Sequence, residues 1–121
     1  MQKKRTLVLG ASENRSRYSN LAVNRLAAAG HPVLAIGKKS GAIGNIPIEN
    51  AQKQFDDIDT VTLYLNPENQ QPYYNYILSL HPKRIIFNPG TENRELAELA
   101  HKKGIQTMEA CTLVLLSTEQ Y

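Results

Sequence analysis

Leu7-Val8-Leu9-Gly10-Ala11-Ser12-Glu13-Asn14-Arg15-Ser16-Arg17-Tyr18 reads as a buried strand that runs into a polar loop and opens a helix. The residues up to Leu9 are β-branched or aliphatic, Gly10 lets the backbone turn sharply, and Ser16 or Ser19 is placed to cap a helix whose apolar residues begin at Leu21. A helix that starts at the carboxyl end of a strand presents unbonded N–H groups and a positive dipole end, which favour a phosphate or diphosphate. Arg15 and Arg17 add charge to the same loop.

Outward from that turn, strand and helix signals alternate. The first strand is expected over Arg5 to Leu9 and the first helix over Ser19 to Ala29, stopped by Gly30. Val33 to Ile36 makes a second strand, so that strand, helix and strand form a parallel crossover unit. Gly37-Lys38-Lys39-Ser40-Gly41-Ala42-Ile43-Gly44 is glycine-rich and basic and reads as a loop, and Ile46-Pro47-Ile48 as a short extended piece. A third strand runs from Asp59 to Leu65, closed by Asn66-Pro67. The apolar spacing of Tyr73, Tyr76, Ile77 and Leu80 predicts an amphipathic helix from Pro72. Arg84 to Phe87 is a fourth strand and Asn88-Pro89-Gly90 a turn. Glu92 to Lys103 is a helix capped by Thr91, and Ile105 to Glu109 a fifth strand. Cys111 to Leu116 is apolar and open between an extension, a short strand and a chain end packed on the core.

The expectation is therefore an α/β chain with a Rossmann-like open parallel sheet of about five strands, in three layers and in the order 3-2-1-4-5, forming one domain over residues 1–121. In such sheets ligands bind beyond the carboxyl ends of the strands, where the winding reverses.

Composition narrows the function classes. At 121 residues the chain has room for one core but not for a nucleotide domain plus a catalytic one, so binding fits more easily than a complete enzyme. A single cysteine forms no internal disulfide and no cysteine-based zinc site, which agrees with a reducing compartment. No apolar run approaches the roughly 20 residues needed to cross a bilayer, and the apolar stretch after Met1-Gln2-Lys3-Lys4-Arg5 stops at Gly10, too soon for a signal peptide. The cytoplasm is the expected location. A net charge of +3 with no interleaving of bases and aromatics argues against nucleic acid as a partner, whereas a few cations around a small polyanion leave the same total. His31, His81 and His101 each fall near the C-terminus of a helix, far from the expected crevice, so no metal is expected. An NAD site wants an acidic residue after the second strand, where this chain has Gly37, Lys38 and Lys39. A phosphorylated ribose fits better, and coenzyme A and NADP both carry one.

The order and spacing of the loops carry a resemblance. Gly10-Ala11-Ser12, Gly37-Lys38-Lys39-Ser40-Gly41, Gly44-Asn45-Ile46-Pro47-Ile48, Ile58-Asp59, Asn66-Pro67, Asn88-Pro89-Gly90 and Glu109-Ala110-Cys111 together resemble the stand-alone coenzyme A-binding proteins. Those proteins look like the N-terminal domain of the succinyl-CoA synthetase α subunit. The resemblance implies a small protein that binds coenzyme A or acyl-CoA without transforming it, with NADP the runner-up ligand. Two further functions stay open: the binding subunit of a coenzyme A-dependent enzyme, with Cys111 beside the pantetheine thiol, or a regulatory module sensing NAD(P). The resemblance implies diphosphate contacts from Gly10, Ala11, Ser12 and the run Arg15, Arg17, Tyr18 and Ser19, and a phosphate beside Lys38 and Lys39. It also places Asn66 and Pro67 along the adenine and pantetheine arm, with Asn88, Pro89 and Gly90 farther along it. The chain departs from the pattern by keeping only Gly10 of the three spaced dinucleotide-binding glycines and by lacking a proline near Gly37. A homodimer or a protein partner stays open.

Overall fold

The computed structural model describes residues 2–121; Met1, the first residue of the basic opening, lies outside the described residues. In chain order the elements are β1 (Thr6–Leu9), α1 (Tyr18–Ala28), β2 (Val33–Ile36), β3 (Gly41–Ile43), β4 (Ile46–Glu49), β5 (Thr60–Leu63) and α2 (Pro67–Gln70). After a 3₁₀ turn at Gln71–Tyr73 come α3 (Tyr74–Leu80), β6 (Arg84–Phe87), α4 (Arg94–Lys102), β7 (Gln106–Glu109) and α5 (Thr112–Ser117).

The sheet corrects the expected topology. It has seven strands in the order β3-β4-β2-β1-β5-β6-β7, not five in the order 3-2-1-4-5. Every neighbouring pair is parallel except β3 with β4. The stretch expected to be a basic loop contains a strand, because the chain doubles back at Gly44-Asn45 into a tight hairpin that pairs Ile43 with Ile46 and Gly41 with Ile48. Gly44 takes a φ of +60° there and Asn45 does not enter the left-handed region, the pattern of a two-residue hairpin turn with glycine first. Since β4 occupies the free edge of β2, the Thr60–Leu63 strand crosses to the opposite side of β1, in register from Thr6↔Thr60 to Leu9↔Leu63. The winding reverses at β1.

Strand alternation divides the core between two faces. Leu7 and Leu9 point to one side, where Tyr76, Ile77 and Leu80 of α3 and Leu96 and Ala100 of α4 cover them. Val8 points to the other, under Val23 and Leu26 of α1 and Leu115 and Leu116 of α5. Cys111–Leu116 is thus mostly helix, with its apolar side on the sheet. Two caps differ from expectation. α1 begins after Arg17 with no side-chain cap. α4 is capped by Asn93, whose Oδ1 accepts the Leu96 N–H, while Thr91 gives its hydroxyl to the Asn88 carbonyl. Asn66 caps α2 with Pro67 in its first turn, ahead of the turn that holds Pro72.

Candidate functional site

The reversal of winding leaves a crevice at the carboxyl ends of β1, β2, β5 and β6, and a cleft of about 1070 Å³ opens there. Its first wall is the loop after β1. Gly10 turns with a φ of +101°, a conformation glycine adopts without strain, and its N–H and that of Ala11 both donate to the Ile36 carbonyl. The loop then folds on itself: Ser12 Oγ accepts the Asn14 N–H, Asn14 Oδ1 accepts the Ser16 N–H and hydroxyl, and Asn20 Nδ2 donates to the Ser12 carbonyl at 2.9 Å. These bonds aim the start of α1 at the cleft. The Tyr18 and Ser19 N–H groups have no partner among the described residues, and no acidic residue stands in the first turn. Partial positive charge is therefore left at the cleft.

The second wall is Gly37-Lys38-Lys39. Gly37 is packed so closely on the first loop that a Cβ there would stand 2.2 Å from the Ala11 carbonyl oxygen. The far side is built by Tyr64, Leu65, Asn66, Asn69, Pro72 and Tyr73, and the end by Pro89, Gly90 and Thr91. Three cations, Arg17, Lys38 and Lys39, face one carboxylate, Glu13, around the cleft. Tyr64 contributes a neutral floor. Its hydroxyl is buried without a hydrogen-bond partner, and burial first, then Cys111, push its phenol well above the ordinary range.

Most of the residues singled out in the sequence meet here. Gly10, Ala11, Ser12, Arg17, Tyr18, Ser19, Lys38, Lys39, Asn66, Pro89 and Gly90 all line the cleft. Arg15, Pro67 and Asn88 do not. Arg15 is exposed on the outside of the loop, and Pro67 opens α2. Asn88 is buried as a tie between elements: Nδ2 donates to Thr62 Oγ1 at 2.7 Å and to the Leu63 carbonyl at 2.8 Å, and Oδ1 accepts the Thr112 N–H at 2.9 Å. Glu13, Gln52, Asn69, Tyr64, Tyr73 and Thr91, which the sequence reading does not assign to the site, also line it: Glu13 and Thr91 are chain neighbours of Ser12 and Gly90, whereas Gln52 is brought to the crevice only by the fold. Cys111 is half-buried just ahead of α5, outside the lining.

A second cleft of about 560 Å³ lies at the amino ends of the strands, between Lys3, Arg5, Asp57, Asp59, His81 and Lys83. Its charges are of both signs, and Lys83 stands 4.0 Å from Asp59. Among the described residues no cluster of three His, Cys, Asp or Glu could hold a metal ion, and no helix is long and apolar enough to cross a membrane.

Comparison with solved structures bears on the fold. The chain is similar to an uncharacterized protein of known crystal structure, at 48% identity and a TM-score of 0.97 over 100% of both chains. A hypothetical protein from Pyrococcus horikoshii OT3 superposes with a TM-score of 0.88 at 21% identity, covering 97% of this chain and 84% of that one. A Thermus thermophilus protein does so at 0.81 and 17%, covering 98% and 91%. At these lower identities the likeness is one of fold alone. No curated protein matches the sequence. A family model described as the CoA binding domain matches residues 4–117, with the cleft-forming loops inside the match, and the chain belongs to that family.

Proposed function

We propose that this protein holds coenzyme A, free or acylated, in the cleft at the carboxyl ends of the strands and does not itself transform it. The observation that carries the reading is the meeting of unpartnered N–H groups at the start of α1 with Arg17, Lys38 and Lys39 around one crevice. Coenzyme A offers two separated anionic groups, a diphosphate and a 3′-phosphate. The diphosphate belongs at Ser12 and the Tyr18 and Ser19 N–H groups, with Arg17 beside it. The 3′-phosphate belongs at Lys38 and Lys39. Asn66, Pro89 and Gly90 then border the path of the pantetheine arm. On this reading the chain does alone what a domain of the succinyl-CoA synthetase α subunit, which it resembles, does inside a larger enzyme.

Thermal unfolding with added ligand tests it. Coenzyme A at about 100 times its dissociation constant should stabilise the fold by about 2.7 kcal/mol. Removing the 3′-phosphate should weaken binding, and Lys39→Ala should weaken coenzyme A by about tenfold while leaving dephospho-coenzyme A nearly unaffected. Absence of a shift with coenzyme A, alongside a clear one with NADP, rejects the proposal.

A further inference from the structure

Glu13 is out of place by charge. It lines the cleft with Arg17, Lys38 and Lys39, where a carboxylate repels a polyanion. Its side chain is nonetheless committed elsewhere: Oε2 accepts the backbone N–H of Ala42 at 2.9 Å, joining the loop after β1 to a strand 29 residues away. Hairpin geometry makes that N–H available. With Ile43↔Ile46 closing the turn, Ala42↔Pro47 is a pair that exchanges no ladder bonds, so the Ala42 N–H points away from β4. Gly41 leaves the room. A Cβ there would lie 2.5 to 2.8 Å from the Glu13 carboxyl atoms.

The lysine segment is consequently held at both ends against one loop. Gly37 presses its backbone on Ala11, and Ala42 is bonded to Glu13, with Lys38, Lys39 and Ser40 spanning the gap. We propose that Glu13 is a positioning residue that fixes the lysine loop beside the phosphate-binding loop, its unfavourable charge offset by the preorganisation it provides. This rests on the coenzyme A reading above.

Electrostatics and positioning predict opposite signs, which makes the idea testable by calorimetric titration of coenzyme A. A carboxylate that acted only through its charge would, once removed, leave tighter binding. Glu13→Ala instead weakens coenzyme A about fivefold, because the lysine loop must then be ordered on binding. Glu13→Gln keeps an acceptor for the Ala42 N–H and binds at least as well as the parent. Gly41→Ala keeps the charge but drives the carboxylate off the strand, and it weakens binding as Glu13→Ala does. Equal or tighter binding by Glu13→Ala overturns the proposal. Hydrogen exchange at the Ala42 amide, read without ligand, separates the two failures. Faster exchange in Glu13→Ala supports the clamp even if the parent protein does not bind coenzyme A, and unchanged exchange removes the clamp even if it does.

Discussion

At Gly37 the backbone of the second strand's exit touches the backbone of the first loop, with no side chain in between. Its φ lies outside the left-handed region, so alanine is locally allowed, and any cost of Gly37→Ala comes from the 2.2 Å approach to the Ala11 oxygen. Neither partner is a flexible side chain that can step aside. The substitution should cost about 2 kcal/mol or more in urea unfolding, as overpacked sites do. Asn88 poses the complementary case. Asn88→Ala leaves Thr62 Oγ1, the Leu63 carbonyl and the Thr112 N–H without their shared partner, and should destabilise by about 2 to 4 kcal/mol. The sequence reads Asn88-Pro89-Gly90 as a turn, which the family resemblance sets along the ligand; Pro89 and Gly90 line the cleft and Asn88 does not. Asn88 was illegible because its three partners lie 24 to 26 residues away and nothing local marks them. Glu13 escaped notice for the same reason.

Among the elements, short continuous apolar runs bounded by turn signals are the readable ones. Val33–Ile36 and Arg84–Phe87 lie where their β-branched and aliphatic runs put them. Of the β3–β4 hairpin the sequence shows only the second half, Ile46-Pro47-Ile48, as an extended piece; paired lysines ahead of β3 and glycines at 41 and 44 make its first half read as loop, and the proline inside β4 hides its pairing. Pro47 is tolerated because it faces Ala42 at a pair without ladder bonds, and pairing of β4 with β2 begins only at Ile48. The turn is the hairpin's weak point. Gly44→Ala meets open space, so its cost is that of forcing a side chain to φ +60°, about 1 kcal/mol by thermal or urea unfolding. Helix ends were the other error, since α1 needs no side-chain cap where its opening N–H groups face the cleft.

For the molecule as a whole, the end of the sheet away from the cleft carries the pH response. His31 is 3% exposed, its Nδ1 accepts the Lys4 N–H at 2.9 Å, its Nε2 has no partner, and its ring meets the Tyr121 ring at 4.8 Å. Burial first, then Lys3, Lys4 and Arg84, lowers its pKa below the ordinary value. The neutral ring therefore stabilises the fold fully above the unfolded-state pKa of about 6.5, and that contribution is lost as pH falls towards the lower folded value. The melting temperature should drop between about pH 7 and pH 5, and less steeply in His31→Asn, which keeps an acceptor but does not titrate. An unchanged slope in the variant would move the effect to other groups. The strand order belongs to this scale too. With β4 against β2, Thr60–Leu63 pairs with β1, so a strand order that leaves the hairpin out also sets this strand on the wrong side of β1.

The hairpin has one more effect, at the rims of the sheet. With it in place the hydrogen-bonding ladder ends on a three-residue strand at one rim and a four-residue strand, Gln106–Glu109, at the other. A foreign chain seeking to extend the sheet would find only short templates, and a protein so built resists the edge-to-edge aggregation to which long bare strands are prone.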